Sequence, residues 1–182
     1  MKTLKTILLG AILFTSFSGF SQTEKEAKIM KDAEKVKMKM VKTDQGLKTF
    51  MDNSTAYVIF PNVGEGALII GGASGNGVVY ENGKPVGLAD LKKVDVGLQA
   101  GGQALSEIIF FETEEALSKF KDDELTFSAE ASAVVLESGA SKNANYSDGV
   151  VVFAMPKAGV MADLSVGGQR LSYDSFDDRS DK

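Results

Sequence analysis

The sequence predicts an α+β fold: a predominantly antiparallel, curved β-sheet, sandwich- or barrel-like, with N-terminal helices and one short helix near 113–121. Three observations predict it. Residues 23–52 are helical in composition, with no proline and Gly46 as their only glycine. From residue 56 onward, short β-rich runs are ended by turn residues. The runs follow one another through short, hairpin-like connections, which favours antiparallel pairing.

The N-terminal helix has one clear apolar face. Ile29, Ala33, Val36 and Met40 step by four, three and four. Thr23, with Glu26 three residues on, has capping-box spacing and is expected to start the helix. A thinner second stripe, Ala27, Met30, Met38 and Val41, lies more than a quarter turn away. Asp44 is expected to cap a second short helix with Leu47, Phe50 and Met51 turned inward.

Strands are expected at 56–61 (AYVIFP), 66–72 (GALIIGG) and 76–83 (NGVVYENG), with a tight turn near Ser74–Gly77. Asn82-Gly83 is a two-residue hairpin signal. Residues 94–112 read as one long or bent strand. Thr113 then caps a short helix that turns Ala116, Leu117 and Phe120 inward. Strand resumes over 125–137, 139–149 is a loop, and 150–156 and 159–173 are the last strands. Glu107, Glu112, Glu130 and Asp163 lie in or beside strands, where the period of two favours their facing outward.

Domain organisation follows from the same pass. Lys2 and Lys5 precede an apolar run at 7–14, and Gly19 and Ser21 stand before Gln22 as small residues do at a cleavage site. Residues 1–21 therefore read as a secretory signal peptide, the apolar run being far shorter than the roughly 20 residues of a membrane span. Then come a basic amphipathic helix at 22–43, the main domain at 44–173 and a flexible acidic tail at 174–182. The mature chain is expected to be secreted or periplasmic.

Composition removes several kinds of chemistry. The 182 residues contain no cysteine and no histidine. Disulfides, thiol nucleophiles and thiolate or imidazole metal ligands are therefore excluded. The glycine-rich stretch 71–77 lacks the Lys-Ser/Thr of a P-loop, and it leads into a strand rather than a helix. Ser118 and Lys121 match a catalytic dyad spacing without its partner motifs. Residues 142–149 suggest a calcium loop, but the glycine is displaced and the closing glutamate is missing. No catalytic residue, cofactor or metal is expected, and the chain is read as a non-enzyme.

Charge is polarised. The formal net charge is −5, yet residues 24–48 carry eight lysines against five acids. Lys28, Lys35 and Lys39 flank the main apolar stripe on one side and Lys37 flanks it on the other, where lysines sit on an interfacial helix. Lys28, Lys35, Lys37, Lys39, Ile29, Val36 and Met40 are thus the candidate membrane contacts. The alternative is a helix whose apolar stripe packs on the sheet, because one face cannot serve both.

Four elements, taken in order, resemble the SYLF domain over about residues 44–173. They are FPNVG (60–64), the Gly-Gly-x-x-Gly-x-Gly run (71–77), GGQ followed by SEIIFF (101–111), and K-x-G-x-M-x-x-x-S-x-GGQ (157–169). The bacterial secreted members look most similar. The resemblance implies a lipid-binding module, with a phospholipid or an anionic membrane surface as partner. With a bacterial-type leader, actin and phosphoinositides are not expected ligands, and no nucleic-acid partner is expected. A protein-interaction or envelope scaffold module is the alternative, and self-association through exposed strand edges is left open.

Overall fold

The computed structural model describes residues 17–65, 72–94, 104–123, 126–128, 133–157 and 168–177. Two helices come first, α1 (Phe17–Thr43) and α2 (Leu47–Asn53). Strands β1 (Ala56–Glu65), β2 (Gly72–Glu81), β3 (Lys84–Val94) and β4 (Ala104–Phe111) follow, then α3 (Glu114–Lys121). The chain ends with β5 (Thr126–Ser128), β6 (Ala133–Val135), β7 (Val150–Pro156) and β8 (Gly168–Ser175). All eight strands share one sheet in the order β5-β8-β3-β2-β1-β4-β7-β6. Pairing is antiparallel except between β6 and β7. The described strands make one open sheet with β5 and β6 at its edges, rather than a sandwich or a closed barrel.

The central strands are apolar on both faces because both are covered. On one face, here the helix face, Tyr57, Ile59, Val78, Ile108, Phe110, Val151 and Phe153 form a core with α1 and α2. On the far face, Val58, Phe60, Val79, Ile109, Phe111 and Val152 pack with α3. Thr113 caps α3 as expected, its hydroxyl accepting the Ala116 N–H at 3.2 Å. Ala116, Leu117 and Phe120 are buried.

Asn82 and Gly83 have φ of 51° and 75°. Both are left-handed, as a type I′ hairpin between β2 and β3 requires. Gly83→Ala should cost about 1 kcal/mol, the penalty of a Cβ in that region. The check is a drop in thermal midpoint of about 2–4 °C.

Several expectations are corrected. Ser74–Gly77 is not a turn: it lies inside β2, paired with β1 and β3. Its glycines serve close approach, since a Cβ on Gly77 would come within 2.7 Å of the Phe60 ring. Residues 125–137 are not one strand, for β5 and β6 lie at opposite edges of the sheet. Helix α1 begins at Phe17, so Thr23 lies inside it rather than at its start. Glu107 is buried on the far face instead of facing outward, whereas Glu112 is exposed. Strand β8 runs to Ser175, and the Phe176 N–H donates to the Val86 carbonyl at 3.0 Å, so pairing passes the residue where the tail was expected to begin. Residues 1–16 of the expected leader (1–21), the run 66–71, the first GGQ (101–103), Glu130 and Asp163 lie outside the described residues, and the last five residues of that leader fall in α1.

The N-cap of α2 is Gly46, with no side-chain cap, so Asp44 acts as a clasp rather than as the expected cap. Its carboxylate accepts the Gly46 N–H at 3.0 Å and the Ser141 N–H at 2.7 Å, clasping the α1–α2 junction to the 3-10 turn at Ala140–Asn143. Burial pushes the Asp44 carboxyl up, but the Ser141 and Gly46 hydrogen bonds outweigh it and hold the group below its ordinary value. A depressed folded value means the stabilisation is complete above the unfolded value and disappears as pH falls through the folded one. Asp44→Asn should therefore cost about 2 kcal/mol at neutral pH, and the gap to wild type should close below about pH 4. Denaturant titrations of both proteins across pH 2–7 check it.

Candidate functional site: a lysine-lined groove under the N-terminal helix

Helix α1 lies on the sheet by the stripe that its sequence marks. Ala33 and Met40 are fully buried, and Ile29 and Val36 pack beside them against the helix-face core. Met40, expected beside lipid, thus faces protein, while Ile29 and Val36 are half-buried between the sheet and the groove that the lysines line. The second stripe divides. Met30 and Val41 pack on the core, while Met38 is 63 % exposed.

The lysines divide too. At about 100° per residue, positions 25, 28, 32, 35 and 39 fall in one row beside the buried stripe. These are Lys25, Lys28, Asp32, Lys35 and Lys39, and all five line one groove. Lys37 lies on the other side. Its Nζ bonds Glu34 at 2.6 Å and rests 4.9 Å from the centre of the Tyr80 ring, whose hydroxyl donates to Glu34 at 2.9 Å. Burial pushes the Glu34 carboxyl up, yet the hydrogen bonds from Lys37 and Tyr80 hold it below its ordinary value. Burial and the Glu34 carboxylate push the Tyr80 hydroxyl far up, so it stays a protonated donor. Lys37 is therefore a docking residue for α1.

The sheet beneath the lysine row changes character. Toward the hairpin end, the helix face is apolar through Val78, Ile59, Ile108 and Phe153. At the opposite end it becomes polar: Asn76, Asn62 and Ser106 take those places. Pro61 makes the change. Lacking an N–H, a proline in a central strand is tolerated at a bulge, and β1 carries one extra residue here relative to both β2 and β4. The Ser106 hydroxyl donates to the Pro61 carbonyl at 2.9 Å. The bulge keeps Val63 in the far-face core and leaves Asn62 on the helix face.

Across the groove from α1, Lys157 follows β7, and its Nζ donates to Asn62 Oδ1 at 2.6 Å. The groove is open to solvent along one side and has a volume of about 790 Å³. Beyond it the polar end continues along the same face. Ser74 pairs with Lys92 and Lys92 with Arg170, and both cations are exposed. Asp90, which accepts from the Asn76 amide, is the acid in this part of the face. Five groove lysines, Lys92 and Arg170 thus share one end of the helix face with Asp32 and Asp90. Among the described residues, no group of three carboxylates converges to hold a metal. No described helix is long and apolar enough to cross a membrane.

A family model described as Ysc84, "Las17-binding protein actin regulator", matches residues 92–180. The chain carries a SYLF domain. No curated protein matches the chain. The matched segment supplies both flanks of the sheet, β5-β8 on one side and β4-β7-β6 on the other, and most of β3-β2-β1 fills the middle. The matched segment thus shares its sheet with β1 and β2, which lie outside the match. Two of the motif elements meet at the groove: Asn62 belongs to FPNVG, and Lys157 opens K-x-G-x-M. Lys25 and Lys157 are site residues that sequence reasoning missed. The three-and-four spacing of Lys25 to Lys28 and Asp32 was a signal for the first. The motif lysine was a signal for the second.

Proposed function

We propose that this SYLF protein is a non-catalytic, extracytoplasmic module that binds anionic phospholipid surfaces through the basic end of its helix face. One observation carries the reading: a chain of net charge −5 gathers seven cations against two acids there. At about 1 kcal/mol per net charge near an anionic surface, the patch contributes roughly 5 kcal/mol, or binding at about 200 µM before any apolar contact. The N-terminal leader supports an extracytoplasmic site, and N-terminal sequencing of the released protein tests it. That location also argues against actin as a native ligand.

The test is co-sedimentation with phosphatidylcholine vesicles doped with increasing phosphatidylglycerol. Binding should rise with the anionic fraction and fall with salt. Absence of binding at low salt on pure phosphatidylglycerol rejects the reading. The family description names a protein partner, which favours a protein-interaction module as the second reading. Specific capture of one envelope protein, with indifference to lipid charge, would select it.

A further inference from the structure

We infer that the polar end of the helix face is a docking site for a second copy of this chain, whose acidic corner beside α3 enters the lysine groove, so that copies add head to tail. The inference does not rest on the anionic-surface reading. It gives the groove a protein occupant that excludes lipid while it is there.

The corner is built by the fold. Glu112, Glu114 and Glu115 surround the cap residue Thr113 where β4 passes into α3, and Asp148 lies in the turn before β7. All four are exposed. The Glu112 N–H donates to the Gly149 carbonyl at 2.9 Å. A Cβ on Gly149 would come within 3.1 Å of the Ala116 Cβ and 3.2 Å of Thr113 Oγ1, so the turn is seated on the first turn of α3. Four carboxylates are thus presented on backbone that has little freedom left to lose on binding. Lys119 bonds Glu115 at 2.7 Å, and four acids with one lysine leave three negative charges.

The groove matches the corner in sign and shape. Five lysines and Asp32 leave four positive charges around an open trough of about 790 Å³. Between its walls, Asn62, Ser74 and Asn76 offer neutral donors for carboxylate oxygens. The two surfaces cannot meet within one molecule. Phe111 pairs with Ala56 and Ala56 with Glu81, so the corner lies at the hairpin end of the sheet, and α3 packs on the far face. The groove lies at the other end, on the helix face. The ten residues of β2 span about 30 Å between the ends, several times the Debye length of about 8 Å at physiological salt. Only a neighbour brings corner and groove into contact. Because they occupy opposite ends and opposite faces, a pair of copies cannot make both contacts at once. Each added copy leaves one groove and one corner open, which gives a growing chain rather than a closed dimer.

The test is light scattering on the purified chain across a range of concentrations, at low and at high salt. At low salt the average mass should rise past that of a dimer, and high salt should return it to monomer. Glu112→Lys with Glu114→Lys, and Lys28→Glu with Lys39→Glu, should each weaken association at least about tenfold. Mixed one to one, these two variants should associate again, because the unaltered groove of one takes the unaltered corner of the other and the two reversed surfaces also match. A misfolded variant would not be rescued in this way. Phosphatidylglycerol vesicles should break the wild-type chains by taking the groove. A protein that stays monomeric at low salt or stops at a dimer overturns the inference, even where vesicles bind. So does either variant associating like wild type, or a mixture that fails to associate. Association with no vesicle binding leaves the inference standing and rejects the membrane reading.

Discussion

Replacing Lys28, Lys35, Lys39 and Lys157 together by glutamine should lower partitioning onto phosphatidylglycerol vesicles about a thousandfold at low salt. Each lysine near an anionic surface contributes about 1 kcal/mol, so four removed charges amount to about 4 kcal/mol, close to three decades in affinity. The fold should survive. Lys28, Lys35 and Lys39 are exposed, and Lys157 is outside the sheet core. Lys37→Gln is the contrasting case. It breaks the contacts to Glu34 and Tyr80 that dock α1, so it should lower the thermal midpoint by a few degrees and leave vesicle binding near wild type. Sedimentation and thermal melts on both variants separate the two lysine classes. Equal binding losses from Lys37→Gln and the quadruple variant would show that the split between groove and docking lysines is wrong.

Phe153→Ala should cost about 3–5 kcal/mol, the range for removing a buried aromatic ring. In a domain of this size that lowers the melting midpoint by roughly 10 °C or more. Phe153 is fully buried in the middle of β7. Its ring centre lies 5.2 Å from that of Phe50 on α2 and 5.9 Å from that of Phe110 on β4, both edge-on. The substitution thus empties the place where α2, β4 and β7 meet. A second stack, Tyr57 on Tyr80 at 5.0 Å, lies nearer the hairpin and should hold that end of the sheet. A loss under 1 kcal/mol in denaturant titration would contradict this account of the helix-face core.

Local signals in the sequence carried far. Asn82-Gly83, Thr113 and the stripe from Ile29 to Met40 each act within a few residues, and each forms the hairpin, cap or buried face that it announces. Non-local partners were illegible. Nothing local in residues 125–137 says that β5 and β6 go to opposite edges, because the choice depends on β8 and β7. The glycines of 74–77 look like a turn until Phe60 is known to lie over Gly77. Glu107 obeys the period of two but meets a sheet covered on both faces, so alternation cannot bring it to water. At the site, three of the four flagged lysines share the groove. Lys157 and Asn62 enter it only because a proline bulge and the neighbouring strands bring residues 62 and 157 together. Of the apolar half of the expected contact set, Met40 is buried on the sheet while Ile29 and Val36 reach the groove, a division that the sequence does not show because an amphipathic helix looks the same whether sheet or lipid covers it.

The absence of native cysteine permits the most direct test of the central claim, that the basic end of the helix face is what meets the membrane. Single cysteines at Ser74, in the groove, and Ser118, on α3 at the far face, would each carry an environment-sensitive fluorophore. On phosphatidylglycerol vesicles the label at position 74 should shift to the blue and brighten, and the label at 118 should report water throughout. A shift at 118 with none at 74 would contradict the account.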